Sequence, residues 1–194
     1  MKTYPAKEGI HAAVEALRNG EIVCYPTETF YALGIDFRNS SAREKLFVTK
    51  KRPPEKDLPM IASDLQMVAN VCDTSDPRLH VLAQKFWPGP LTVVLRSLDS
   101  NGTLAIRISS HPIARELARC FGAPVVSTSA NLSGAPPIAD PSLLDQEVQQ
   151  QIAVLLQDGR SAGGKPSTIV TLLENPPKIL REGEISSAEI LSLL

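Results

Sequence analysis

The chain has 194 residues, 43% hydrophobic and 21% charged, usage that suits a globular protein with one sizeable core and excludes disorder as its main theme. Twenty basic against 21 acidic residues leave a formal net charge of -1, which excludes coating nucleic acid or an anionic membrane through bulk charge. The longest apolar runs, about five residues, fall far short of a membrane span, and MKTYPAKEG has no signal-peptide core, so the expectation is a cytoplasmic protein forming one domain over residues 1–194.

Ile10, Ala13, Val14 and Leu17 recur at helical spacing and Gly20 follows as a stop, which predicts a helix over 8–19 and a strand, EIVCY, directly after it. A second helix is expected over 40–51, opened by the capping-box pattern Ser41-x-x-Glu44. Leu65, Val68, Ala69 and Cys72, then Leu79, Leu82, Ala83 and Phe86, predict two more. Trp87-Pro88-Gly89-Pro90 breaks the pattern before two β-branched strands, LTVVLR and LAIRIS, in the second of which Arg107 alternates against Ile106 and Ile108. Pro112 suits the first turn of a helix that ends at Gly122, and APVVSTS reads as the next strand. A helix over 141–151, the strands AVLLQ, STIVTLL and KILRE, and a terminal helix opened by Ser186-x-x-Glu189 complete the chain. Some strands follow one another without an intervening helix, so the fold class is α/β with a twisted, mixed sheet and flanking helices.

Several stretches could carry chemistry. Residues 43–56, REKLFVTKKRPPEK, hold six basic and two acidic residues, a local +4 that leaves -5 elsewhere; this is either an anion site or a solvated helix face. Gly159 to Lys165 matches the G-x-x-x-x-G-K part of a P-loop, but Pro166 stands where Ser or Thr must hold Mg²⁺, so a Walker site is rejected. Ser127-Thr-Ser-Ala-Asn-Leu-Ser-Gly134 lies at the C-terminal end of a strand, where ligands of open α/β sheets bind; the competing reading is a Ser/Asn-rich turn. No G-x-S-x-G elbow or placed histidine among His11, His80 and His111 supports a nucleophilic serine. Cys24, Cys72 and Cys120, with no C-x-x-C, suggest core thiols rather than disulfides or a zinc site. Tyr25 to Gly34, YPTETFYALG, just after the first strand, is a further candidate; read alone, the competing reading is a proline turn between strands.

Taken together, YPTETFYALG, KKRPPEK, FWPGPLT, LAIRISSHP, STSANLSG, KPSTIV and ILREG stand in the order and spacing of the YrdC-type threonylcarbamoyl-adenylate synthase family, and the chain resembles a single-domain member of it. The resemblance implies a YrdC-like α/β fold around a basic cavity. It implies an enzyme, a nucleotidyltransferase that joins ATP, L-threonine and bicarbonate or CO₂ into threonylcarbamoyl-AMP and pyrophosphate. A tRNA threonylcarbamoyl transferase complex would take the product. The family's K-x-R signature falls on Lys50 and Arg52, which would also be the catalytic pair; Lys56, Thr103, Ser129, Asn131, Arg181 and the backbone at Pro137 complete the expected ATP side. Thr29, Arg107, Ser127 and Ser167 fall on the threonine side, with Arg107 facing the α-carboxylate. Mg²⁺ would arrive on the ATP phosphates, with no metal ligand from the protein. Three positions depart from the family pattern: Ala32 for Gly, Pro166 for a frequent Glu, and Ile61 where longer members carry His. From another class, an RNA-binding or ribosome-maturation module using the same basic cavity is the alternative, with weak RNA affinity; low aromatic content and the absence of an RNA-reading motif stand against it. A carbamoyl-phosphate-handling module, as in hydrogenase-maturation proteins, would come with further domains.

Overall fold

The computed structural model describes residues 1–53 and 58–194. In chain order the first elements are β1 (Lys2–Pro5), α1 (Ile10–Arg18), β2 (Ile22–Tyr25), β3 (Ala32–Gly34), α2 (Ser40–Lys50), β4 (Met60–Ala62), α3 (Leu65–Ala69) and α4 (Pro77–Phe86). Then come β5 (Leu91–Arg96), β6 (Thr103–Ile108), α5 (Pro112–Phe121), β7 (Val125–Val126) and β8 (Thr128–Ser129). A 3₁₀ turn (Pro141–Leu143), α6 (Gln146–Gln151), β9 (Ile152–Gln157), β10 (Thr168–Thr171), β11 (Lys178–Arg181) and α7 (Ser187–Leu191) follow.

Two mixed sheets share these strands, one in the order β1-β9-β2-β3-β8 and the other β11-β10-β5-β6-β4-β7. The expected mixed pairing is present: β2 runs parallel to β9 and antiparallel to β3, and β6 runs antiparallel to β5 and parallel to β4. Alternation along β2 divides the core. Ile22 and Cys24 face one apolar cluster with α2, α4 and β5, while Val23 and Tyr25 face a second with α1 and α5.

The strand expected over APVVSTS is divided between the sheets. Val125 and Val126 pair with β4, whereas Thr128 and Ser129 pair with β3, so the chain passes from one sheet to the other at Ser127. A strand that changes partners keeps its hydrophobic pattern, so the sequence shows no break. Three short strands, β1, β3 and β4, were outside the periodicity signal because three or four residues hold only two or three alternations. The segment 141–151 is a 3₁₀ turn and a short helix, each capped by its own aspartate, Asp140 and Asp145. The N-cap of helix α2 is Asn39, two residues before the Ser41 of the capping-box pattern, because the Asn39 side chain accepts from Ala42 N–H at 3.0 Å.

The far end of α2 matters for the site. Arg52 N–H bonds the Phe47 carbonyl at 3.0 Å and Lys51 adopts a left-handed φ of 49°, which stops the helix and turns the chain sharply. Lys51 is the single non-glycine residue with positive φ among the described residues. That turn sends Lys50 inward and Arg52 toward the space between the sheets.

Candidate active site

The space between the sheets holds a cavity of about 410 Å³. Strand alternation brings Arg107 to it from β6, since Ile106 and Ile108 point into the first apolar cluster. Thr29 enters from the β2–β3 connection and Ser127 from the crossing between sheets. Ser129 and Asn131 follow on β8 and its loop, with Pro137 further along. Ser167 and Arg181 close the wall beside β10 and β11, and Arg52 projects from the end of α2.

The remaining expected residues stand elsewhere. Lys56 lies outside the described residues. Thr103 is exposed at the start of β6, on the same face as Ala105 and Arg107 but beyond the lining. Lys50 is 2% exposed and its ammonium lies behind the lining, donating to the carbonyls of Ser129 and of Asn131, the latter at 2.6 Å. Ser133 N–H returns a bond to the Lys50 carbonyl at 2.8 Å. This lysine therefore braces the Ser129–Asn131 turn from beneath, with burial and the nearby Arg52 charge lowering its pKa from 10.5 to about 8.

Charge dominates the rest of the site. Arg181 Nε and Nη2 donate to the Ser167 carbonyl at 3.1 and 2.8 Å, and Nη2 also reaches Ser167 Oγ at 3.1 Å. Ser167 Oγ in turn meets Thr92 Oγ1 at 2.9 Å. Burial first, then repulsion from Arg107 and Arg52, holds the Arg181 guanidinium below its ordinary pKa. Three cations thus converge on one volume, while Val94, Ala105, Ile169 and Leu180 give it an apolar floor. The residues assigned to opposite substrates, Ser167 and Arg181, are in direct contact, so the two halves share a wall.

One functional group was absent from the sequence reading. Glu28, inside YPTETFYALG, places Oε1 3.0 Å from Arg107 Nε, and its other oxygen accepts from the Ser109 hydroxyl. Burial acts to raise its pKa, but the Arg107 charge and the Ser109 hydrogen bond outweigh it and hold the carboxyl below its ordinary value. The one signal available was a lone acid between two threonines in a segment otherwise free of charge. Of the three departures, Ala32 and Pro166 line the cavity, whereas Ile61 is fully buried in the second apolar cluster beside Arg107 in register.

A family model named Sua5_yciO_yrdC and described as telomere recombination matches residues 15–183. The chain belongs to the Sua5/YciO/YrdC family. Within that family it is 33% identical over 186 residues to the threonylcarbamoyl-AMP synthase of Vibrio parahaemolyticus, covering 91% of this chain and 100% of that protein. Its identity to the threonylcarbamoyl-AMP synthase of Bacillus subtilis is 31% over 194 residues, 95% of this chain but 56% of that protein, so it spans little more than half that relative's length. The structure of P. abyssi Sua5 complexed with L-threonine superposes with a TM-score of 0.90 at 29% identity, over 97% of this chain and 58% of that one. The α/β fold expected from the sequence is therefore the Sua5/YciO/YrdC fold. No helix among the described residues is long and apolar enough to cross a membrane.

Proposed function

We propose that this chain is a threonylcarbamoyl-AMP synthase that joins ATP, L-threonine and bicarbonate or CO₂ and releases pyrophosphate. The observation that carries this reading is the convergence of Arg52, Arg107 and Arg181 on a cavity that also has an apolar floor. Such a volume suits two anions and one flat base. Arg107 takes the threonine carboxylate, with Thr29 and Ser127 beside it. Arg52 and Arg181 take phosphate oxygens, Ser129 and Asn131 support the nucleotide, and the base lies over the apolar floor near Pro137. In this scheme the carboxylated threonine amine, a carbamate, attacks the α-phosphorus of ATP and pyrophosphate leaves. Catalysis is chiefly positioning two anions together and neutralising the charge that develops.

Mg²⁺ belongs to the nucleotide in this proposal. No cluster of three or more His, Cys, Asp or Glu side chains suited to a metal occurs among the described residues, and Glu28, which contacts the cavity residue Arg107, is occupied by Arg107 and Ser109. A donor set of arginines and hydroxyls fits a metal carried by the phosphates rather than a protein cage. Product passes to a tRNA threonylcarbamoyl transferase complex, and the setting is the cytoplasm.

The test is pyrophosphate release from ATP and Mg²⁺. We expect release that requires both L-threonine and bicarbonate and proceeds without tRNA, accompanied by the acyl adenylate. Release that appears only after tRNA is added, or none in a validated assay, overturns the reading and returns the protein to the RNA-module class.

A further inference from the structure

Both oxygens of Glu28 are committed to the sheet opposite its own. Its loop joins β2 to β3, yet its partners are Arg107 on β6 and Ser109 just beyond, so the contact ties the two sheets together through a cavity-lining arginine. Each end is fixed locally. On the loop side Thr27 Oγ1 donates to the Phe30 carbonyl at 2.7 Å and accepts from the N–H groups of Thr29 and Phe30, which closes a tight turn with Glu28 at its tip. On the strand side Ser109 is fully buried, and its Oγ accepts from His111 N–H at 3.1 Å, leaving the hydroxyl proton for Glu28.

A guanidinium is a rigid planar fork, so holding one edge sets the direction of the other. Arg107 spends Nε on Glu28, and no hydrogen bond to its Nη1 or Nη2 is made among the described residues. With both carboxylate oxygens occupied, Glu28 is poorly placed to accept a proton from substrate and well placed to orient its partner.

We infer that Glu28 is a positioning residue for the amino-acid half of the cavity: with Ser109 it grips the Nε edge of Arg107, so that the Nη edge meets the substrate carboxylate in one orientation. The inference rests on the proposed assignment of Arg107 to the threonine carboxylate. Because Thr29 is the next residue in the same turn, the contact also fixes the distance between Thr29 and Arg107 on opposite walls.

Calorimetry with L-threonine and with ATP, together with KM and kcat in the pyrophosphate assay, tests it on the full chain. Glu28→Gln keeps the shape and removes the charge; threonine Kd and KM should rise about ten- to a hundredfold, with kcat at saturating threonine and the ATP Kd changed by about threefold or less. Ser109→Ala should weaken threonine by about three- to tenfold in the same pattern. In an Arg107→Ala background, adding Glu28→Gln should cost nothing more, because Glu28 acts through the arginine. Unchanged threonine affinity in folded Glu28→Gln, an equal loss of ATP affinity, or a Glu28→Gln loss that persists in the Arg107→Ala background overturns the inference. Should Glu28→Gln fail to fold, Ser109→Ala decides, and unchanged threonine binding there overturns it. Arg107→Ala binding threonine as the unmodified protein does is a different result: it overturns the assignment of Arg107 itself.

Discussion

Lys50 shows how a side chain expected to meet the ligand can stand in an unexpected place, behind the lining rather than in it. As the last residue of a basic helix end it resembles a solvent-facing phosphate ligand, but the left-handed turn at Lys51 folds it under the Ser129–Asn131 carbonyls. The cost is visible in its acidity. A lysine whose folded pKa is depressed from 10.5 to about 8 binds fewer protons when folded than when unfolded across that interval. Stability therefore rises as pH increases from 8 toward 10.5, and below pH 8 the full penalty of burying the charge is present. The interval corresponds to about 3 kcal/mol at most. Urea denaturation at a series of pH values should show the unmodified protein gaining stability relative to Lys50→Met through this window. Parallel curves for the two proteins would mean that the ammonium is not desolvated in the folded state. Glu28 is the opposite case at the same scale, a residue in plain sight within a quoted motif whose partner lies 79 positions away. Its role depends on a tertiary contact that local sequence does not encode.

Among the elements, those with caps and a full period were legible. Helix α5 has Pro112 at its start and Gly122 at φ 81° at its end, with Ile113, Ala114, Leu117, Ala118 and Phe121 buried on one face. Strands β5 and β6 declared themselves through β-branched alternation, and Arg107 on β6 was legible as a charged residue between two isoleucines. What escaped was pairing: neither the division into two sheets nor the crossing at Ser127 changes the alternation of side chains. The turn after β11 is a further example, because its order depends on one buried hydroxyl in β10. Thr168 Oγ1 accepts from Gly183 N–H at 2.9 Å and from Ile185 N–H at 3.1 Å and donates to the Ile185 carbonyl. Gly183 has no room for a side chain there, since a Cβ would lie 2.1 Å from the Pro166 carbonyl oxygen. Thr168→Val has nearly the same shape but strands those backbone groups in the core. It should cost about 2 to 4 kcal/mol in chemical denaturation and weaken ATP binding through Arg181, two residues before Gly183. A loss below about 0.5 kcal/mol would show that the turn holds itself without the hydroxyl.

For the molecule as a whole, the site is the seam between two sheets, each with its own apolar cluster. A ligand lodged there touches both. Occupancy should therefore stabilise the complete fold cooperatively rather than one half of it. A nonhydrolysable ATP analogue at about a hundred times its Kd should add about 2.7 kcal/mol, or about 5 to 10 °C in Tm for a chain of this size, in a single transition. Two separate transitions, with one unmoved by ligand, would show that the sheets unfold independently. The charge of this site was legible only in part: the basic window over 43–56 pointed to Arg52, while Arg107 and Arg181 lie in segments without a comparable run of basic residues and join it only through folding.

The separation of those three arginines along the chain bears on how the protein is made. Arg52, Arg107 and Arg181 come from α2's end, β6 and β11, so a ribosome that has translated only as far as β10 has supplied two of the three cations and only part of the shared wall. Newly emerging polypeptide thus offers the cellular nucleotide pool no ready-made anion trap. Under the proposed function, capture of the triphosphate becomes a mark of maturity, acquired when β11 docks against β10 and brings Arg181 onto Ser167.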